Sequence, residues 1–282
     1  MAGKLHEKAI LLSLNISAYQ GTKIDRAVTN DVQVQNNAES NSGKYSKKLL
    51  PYYTTTINNE MAKLRKWHDS VTLPWDKAGR NIMLGRGYLA HIKEFAVKKA
   101  KIMDMVDDFV DNHLDAEIAK DQTRLGKMWK QSDYPTKDEL RNCYSIKLIP
   151  EALSNNDDFR LDLQESEVDT IKAEIEEAMK EKEEKAMKDL WTRIYEVVSH
   201  FAEILRNPDA NFKQPTIDNI EKLCNMLPIL NITGDYALEN MAKEIKEKVT
   251  SVGAEDLRYD SITRNKTSKA VDEILQRMGM YV

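Results

Sequence analysis

Between Lys44 and Arg86 the chain interleaves cations with rings: Lys44, Tyr45, Lys47, Lys48, Tyr52 and Tyr53, then Lys63, Arg65, Lys66 and Trp67, then Trp75, Lys77, Arg80 and Arg86. Ammonium and guanidinium groups neutralise phosphates, and aromatic rings stack on unpaired bases at ~1–3 kcal/mol each. The residues that could carry this chemistry are Lys44, Lys47, Lys48, Tyr52, Tyr53, Lys63, Arg65, Lys66, Lys77, Arg80 and Arg86. The rings have a competing use. Trp67 continues an apolar helix face, and Trp75, after Pro74, is placed to plug a core. Tyr52 and Tyr53 are adjacent, so a helix leaves at least one of them partly exposed. The cations have a competing use as well, as a solvated helix face or as partners of acidic residues elsewhere.

Other chemistry finds little support. His6, His68, His91, His113 and His200 fall in neither a His-x-x-x-His nor a His-Glu-x-x-His spacing, so no zinc-protease pattern is formed. Asp104, Asp107, Asp108 and Asp111 lie at helical spacing beside His113, a row that can hold a divalent ion but more often makes a solvated face. No metal is expected. Gly85-x-Gly87 lacks the Gly-Lys-Ser/Thr of a phosphate loop and the third glycine of a dinucleotide fold, and no Gly-x-Ser-x-Gly elbow occurs. Cys143 and Cys224 are far apart and outside any Cys-x-x-Cys, which fits buried thiols in a reducing compartment. Neither an enzyme nor a cofactor is expected.

The charge is uneven. Residues 1–103 carry 17 Lys/Arg against 8 Asp/Glu, and residues 104–282 carry 25 against 38, for a net −4 overall. A basic field of that kind attracts polyanions. With 282 residues, 41% hydrophobic and 31% charged, but only 10 Gly and 7 Pro, the composition fits a helix-rich chain and excludes collagen-like and turn-dense all-β classes. No apolar run reaches the ~18 residues of a membrane span, and residues 9–14 lack the flanks of a secretory signal. A cytoplasmic protein is the expectation.

Periodicity supplies the elements that would position these groups. Residues 9–17 alternate as a strand, Gln20-Gly21-Thr22 reads as a turn, and 24–42 reads as a polar extended arm or long loop closing at Gly43. A helix is expected over 46–69, interrupted at Pro51, with Ile57, Met61, Leu64 and Trp67 on one face. From Asn81 a helix of roughly 40 residues carries Leu84, Tyr88, Ile92, Phe95, Ile102, Val106, Phe109 and Leu114 as a stripe. Thr136-x-x-Glu139 is a capping box. Strands at 143–149, ended by Pro150, and 159–163 form a hairpin. Residues 165–206 are a long helix whose charged Lys180–Lys185 stretch projects or sits on a bend. Helices at 216–226, 235–249 and 268–278, with a turn at Leu227-Pro228, make a small bundle. The expected fold is α+β and predominantly α: a long antiparallel helical pair, 83–119 on 165–206, with a small antiparallel β-sheet and a C-terminal helical bundle. The expected division is an α+β body at 1–206 and a bundle at 207–282.

Several phrases carry a family resemblance. They are Gly43-Lys44-Tyr45-Ser46-Lys47-Lys48-Leu49-Leu50-Pro51, Thr72-Leu73-Pro74-Trp75-Asp76 with Gly79 and Arg80, Asp133-Tyr134-Pro135-Thr136 with Glu139 and Arg141, Asp158-Phe159-Arg160, and Leu230-Asn231-Ile232-Thr233-Gly234-Asp235. They span nearly the whole chain. In them it resembles a family of functionally uncharacterised tailed-bacteriophage proteins of early or replication-and-recombination gene regions. The resemblance implies a host-cytoplasmic setting and supplies no site residues. Joined to the basic, ring-bearing segment, it leads to the expectation of a homo-oligomeric, sequence-tolerant binder of single-stranded DNA, an accessory of annealing or recombination. Two alternatives stay open: an assembly protein whose charge asymmetry drives rings or filaments, and an inhibitor or adaptor of a host protein.

Overall fold

A computed structural model describes residues 5–153, 165–207 and 212–282. The chain divides into two compact units. Unit 1 holds residues 1–13, 69–91 and 150–282, and unit 2 holds 14–68 and 92–149. Each has its own apolar core. The long helix that precedes residue 207 and the helices that follow it lie in the same unit. The architecture is α+β and mostly α, as the periodicity predicts.

Unit 1 is organised by strands and by the long helix. Strand β1 (Ala9–Ser17) enters it, β4 (Leu73–Pro74) and β5 (Arg80–Leu84) follow, and β6 (Ser145–Ala152) ends in it. The sheet order is β4-β5-β1-β6. β5 runs antiparallel to β1 in the register Ala9↔Leu84 to Ser13↔Arg80. The helix expected from Asn81 therefore begins only at Gly85. Ile82, Met83 and Leu84 are all buried, and three consecutive buried apolar residues suit a strand covered on both sides, not one helix stripe. Pro150 was expected to end its strand but lies inside β6, and Ser13 Oγ reaches Glu151 Oε1 at 3.2 Å. The expected 159–163 arm of the hairpin lies outside the described residues.

Helix α7 (Glu165–Arg206) has the bounds that its seam predicts. Its fully buried residues start at Ala186, with half-buried Met179 packed against the same core. From there Leu190, Trp191, Ile194, Val198, Phe201 and Leu205 are buried. Between Val168 and Lys185 no side chain is fully buried. The helical partner of α7 within the unit is α11 (Ser261–Met278), which buries Val271, Ile274 and Met278, with α8 (Gln214–Leu230) also packed on it. The partner expected from sequence, 83–119, belongs mostly to unit 2. Arg264 closes the end of α7 by donating Nε to the Leu205 carbonyl at 3.0 Å, and its guanidinium lies 5.0 Å over the Phe212 ring. Such a cation offsets the negative end of the helix dipole. Helices α9 (Tyr236–Ile245), capped by Asp235, and α10 (Ala254–Tyr259) complete the bundle. The turn expected at Leu227-Pro228 is not formed there, because α8 continues through Pro228 to Leu230.

Unit 2 joins a β-ribbon to helices. β2 (Thr22–Ile24) and β3 (Ser46–Lys48) pair antiparallel. Between them, where an extended arm was expected, lies α2 (Arg26–Gln35). Its N-cap Asp25 accepts from the amides of Ala27 and Val28. The strongly polar sequence hid the helix, and the cap residue is the signal that marks it. Helix α3 (Pro51–Ser70) has Pro51 as its first residue, where the missing N–H costs nothing. Helix α4 (Gly85–Asp108) crosses from unit 1 into unit 2 and continues through a π-helical turn, Phe109–His113, into α5 (Leu114–Leu125). The predicted stripe forms the core from Phe95 onward. Helix α6 (Lys137–Cys143) carries the predicted capping box in full.

Phe201 is fully buried and meets Phe212 edge-on at 6.4 Å. Phe201→Ala is expected to cost about 3–5 kcal/mol, read as a fall in the urea midpoint of unfolding.

Candidate nucleic-acid interface

The start of α3 is fixed from beneath. Gly21 (φ +57) sits where a Cβ would come within 2.5 Å of the Leu49 carbonyl oxygen, so only glycine fits the turn before it. Leu50 is also left-handed, at φ +51, and its amide donates to Asp121 Oδ2 at 2.7 Å. Asp121 is buried and also receives the Tyr134 hydroxyl at 3.0 Å and Arg124 Nε at 2.9 Å. The guanidinium of Arg124 in turn donates to the Lys48 carbonyl. Burial, then the Asp121 bond, push the Tyr134 hydroxyl above its ordinary range. Burial, reinforced by the charge of its neighbours, pushes that of Tyr19 up to about 12.

The alternation of β3 decides what its cations do. Ser46 and Lys48 face outward and Lys47 inward. The Lys47 ammonium, 3% exposed as a residue, lies 3.2 Å from Asp25 Oδ2, 2.6 Å from Asp133 Oδ2 and 2.6 Å from the Met128 carbonyl oxygen. Two of its N–H groups donate, to Asp25 and to the Met128 carbonyl, and Asp133 adds an ion-pair contact. Burial works against the charge, but the bonds to Asp133 and Asp25 outweigh it and hold the group above the ordinary lysine value. The Val28 amide, then Lys47, hold Asp25 below the ordinary carboxylate range. Lys47 is thus removed from the list of groups able to meet a phosphate.

The outward face of α3 carries the remaining groups. Tyr52, 66% exposed, stands edge-on to Tyr53 at 5.1 Å. Tyr53 is half-buried and stacks on Phe109 at 4.4 Å and on His113 at 5.3 Å, so its ring is already covered. The π-helical turn supplies both of those rings. Three turns on, Lys63 and Lys66 share the outward face with Tyr52, while Arg65 lies about 140° around the helix from Tyr52 and outside that face; all three cations are exposed. Lys63 pairs with Glu60 at 2.5 Å. The Glu60 carboxyl is held low by that bond and also by the charge of Lys101 on α4. Lys98 of α4 lies 5.1 Å over the half-buried Trp67 ring. The strip therefore includes α4, and Lys98 and Lys101 are members that the sequence reading of the site left out. Their signal is a lysine pair three residues apart beside the buried Phe95–Ile102 stripe. Lys44 and Lys48 are exposed and form no ion pair among the described residues.

The other expected residues lie in unit 1. Lys77 is exposed. Arg80 is committed to Asp76 Oδ2 at 2.6 Å and Glu151 Oε2 at 3.2 Å, and the exposed Arg86 donates to the Pro228 carbonyl. Trp75 is core. The acidic row of α4 faces Arg141, which binds Asp107 at 3.2 Å and also Asp111, while Asp108 meets His113 at 3.4 Å. Among the described residues no group of His, Cys, Asp and Glu is arranged to hold a metal, and no helix is long and apolar enough to cross a membrane. No protein-family model, curated protein or solved structure matches the chain.

Lys47→Met leaves two carboxylates facing each other without their cation, and is expected to destabilise the fold by about 3 kcal/mol, seen in the denaturant midpoint. In the parent protein the contribution of Lys47 is present below the ordinary lysine pKa and is lost as pH rises through its raised value. The contribution of Asp25 is present above the ordinary carboxylate pKa and is lost as pH falls through its lowered value. The variant's deficit, measured across pH, should therefore be widest between those limits and shrink at both ends.

Proposed function

We propose that this chain binds single-stranded DNA without sequence specificity along α3 and the adjoining side of α4. One observation carries the reading. Lys63 and Lys66 lie on one outward face with the open ring of Tyr52, and Lys98 and Lys101 of α4 extend it around Trp67, with Glu60 and Glu94 as its paired carboxylates. Cations in a row follow a phosphate backbone, and an exposed ring receives any base, since every base has a π face. About 16 Å of helix separates Tyr52 from Lys63, so a strand would lie along the helix axis. The family resemblance supports an accessory role in phage recombination or annealing, acting as a homo-oligomer in the host cytoplasm, with no catalytic step. The opposite charge of the two sequence halves supports a second reading, head-to-tail assembly into rings or filaments.

Fluorescence anisotropy with a labelled oligothymidylate tests the first reading. Binding should weaken steeply with salt, as counterion release requires. Lys63→Glu with Lys66→Glu should lower affinity at least tenfold and leave stability within about 0.5 kcal/mol, as expected for exposed positions. Tyr52→Ala should cost about 1–3 kcal/mol of binding. A folded parent protein that ignores the strand at low salt, while light scattering shows a large assembly, sinks the DNA reading and favours the second one.

A further inference from the structure

Unit 1 contains a cavity that the DNA reading does not use. Its volume is about 300 Å³, and it lies between α8 and α9. Cys224, Leu227, Leu238 and Ala242 make a buried, apolar floor. Lys243 and Lys246 stand at the rim, and neither forms an ion pair among the described residues. Glu239 is the acidic lining residue, its Oε1 3.5 Å from Asn231 Nδ2.

Both walls depart from regular helix here. Pro228 has no N–H, so α8 cannot make the bond that would close on the Cys224 carbonyl. After Ile245 the opposite wall widens into a π-helical turn, Lys246–Thr250, which starts at a rim lysine. Such turns concentrate at functional sites. Burial pushes the Cys224 thiol up to about 11, so it stays protonated and adds to the apolar floor without charge.

We infer that this cavity is a binding site for a small amphiphilic carboxylate, its hydrocarbon chain on the Cys224–Leu238 floor and its anionic head at Lys243 and Lys246. The sign of the head follows from the rim, where Lys243 and Lys246, without ion pairs among the described residues, outnumber the lining carboxylate Glu239, with the exposed Glu221 also acting on Cys224. The volume lies at the small end of the range of ligand pockets, which suits a short-chain amphiphile such as octanoate. Small-molecule sites share this build, an apolar wall with a few polar groups that fix orientation.

Isothermal titration calorimetry on the full chain tests this, with octanoate as ligand and octan-1-ol and octylamine as controls of the same chain length. Octanoate should give a saturable isotherm and bind at least tenfold tighter than either control. Ala242→Phe should abolish the isotherm by filling the floor. Lys243→Met with Lys246→Met, at the open rim, should weaken octanoate at least tenfold and leave octan-1-ol unchanged, and this second variant decides the matter if the first does not fold. The inference is overturned if octanoate gives no saturable heat, if octylamine binds as well as octanoate, or if the rim variant binds octanoate like the parent.

Discussion

The carboxylate of Asp121 holds unit 2 in the form that its surface requires. Leu50 sits in a left-handed conformation that a branched, bulky side chain disfavours by roughly 1–2 kcal/mol. Nothing in the sequence before Pro51 forces that geometry. It persists because a buried acceptor takes the Leu50 amide, while the Tyr134 hydroxyl and the Arg124 guanidinium satisfy the remaining lone pairs. The same guanidinium holds the Lys48 carbonyl, so one ion ties β3, α3 and α5 together. The turn at Leu50 sets the direction in which α3 leaves the ribbon, and with it the direction of Tyr52, Lys63 and Lys66. The exposed cations of α3 stand above this buried network, in which Asp121 and Lys47 are the charged centres.

Lys47 and Lys48 show how little separates a structural cation from a surface one. They are consecutive, of one type, and equally able to meet a phosphate in principle. A strand turns successive side chains to opposite faces, so Lys47 falls among Asp25, Asp133 and the Met128 carbonyl while Lys48 faces water. Arg80 follows the same logic at the end of β5, where Asp76 and Glu151 converge on it. Composition counts all of these residues alike. Their division into spent and available groups is a property of the pleat and of which acidic residues the chain folds beside them.

That division explains what was legible in the sequence. Periodic features with strong local chemistry were read directly: the alternation of β1, the bounds of α7, the capping box at Thr136 and Glu139, the core stripe from Phe95 to Leu114. The misread places are those where tertiary context overrides a local rule. Leu84 alone fits the helix stripe that follows it, and pairing with β1 makes Ile82, Met83 and Leu84 a strand. Pro228 reads as a stop, yet neighbours on several sides keep α8 helical through it. Arg26–Gln35 has too few apolar residues to announce a helix, and only the Asp25 cap and later packing fix it. At the interface the α3 residues were visible as a cluster in sequence. Lys98 and Lys101 were not, because thirty or more residues separate them from the groups they join.

The irregular turns tie the two units to what each presents. In an all-α-helical register Phe109 and His113 would follow the 3.6-residue period; the π-helical turn between α4 and α5 adds a residue and sets both rings against Tyr53. Covering Tyr53 leaves Tyr52, its edge-on neighbour, as the ring that faces solvent. In unit 1 a second such turn and a proline inside α8 lie beside an open space. They flank the cavity, whose lining includes Pro228 and Lys246. Each π-helical turn thus borders a feature of its unit: the first sets Phe109 and His113 against Tyr53, and the second starts at Lys246 on the rim of the cavity.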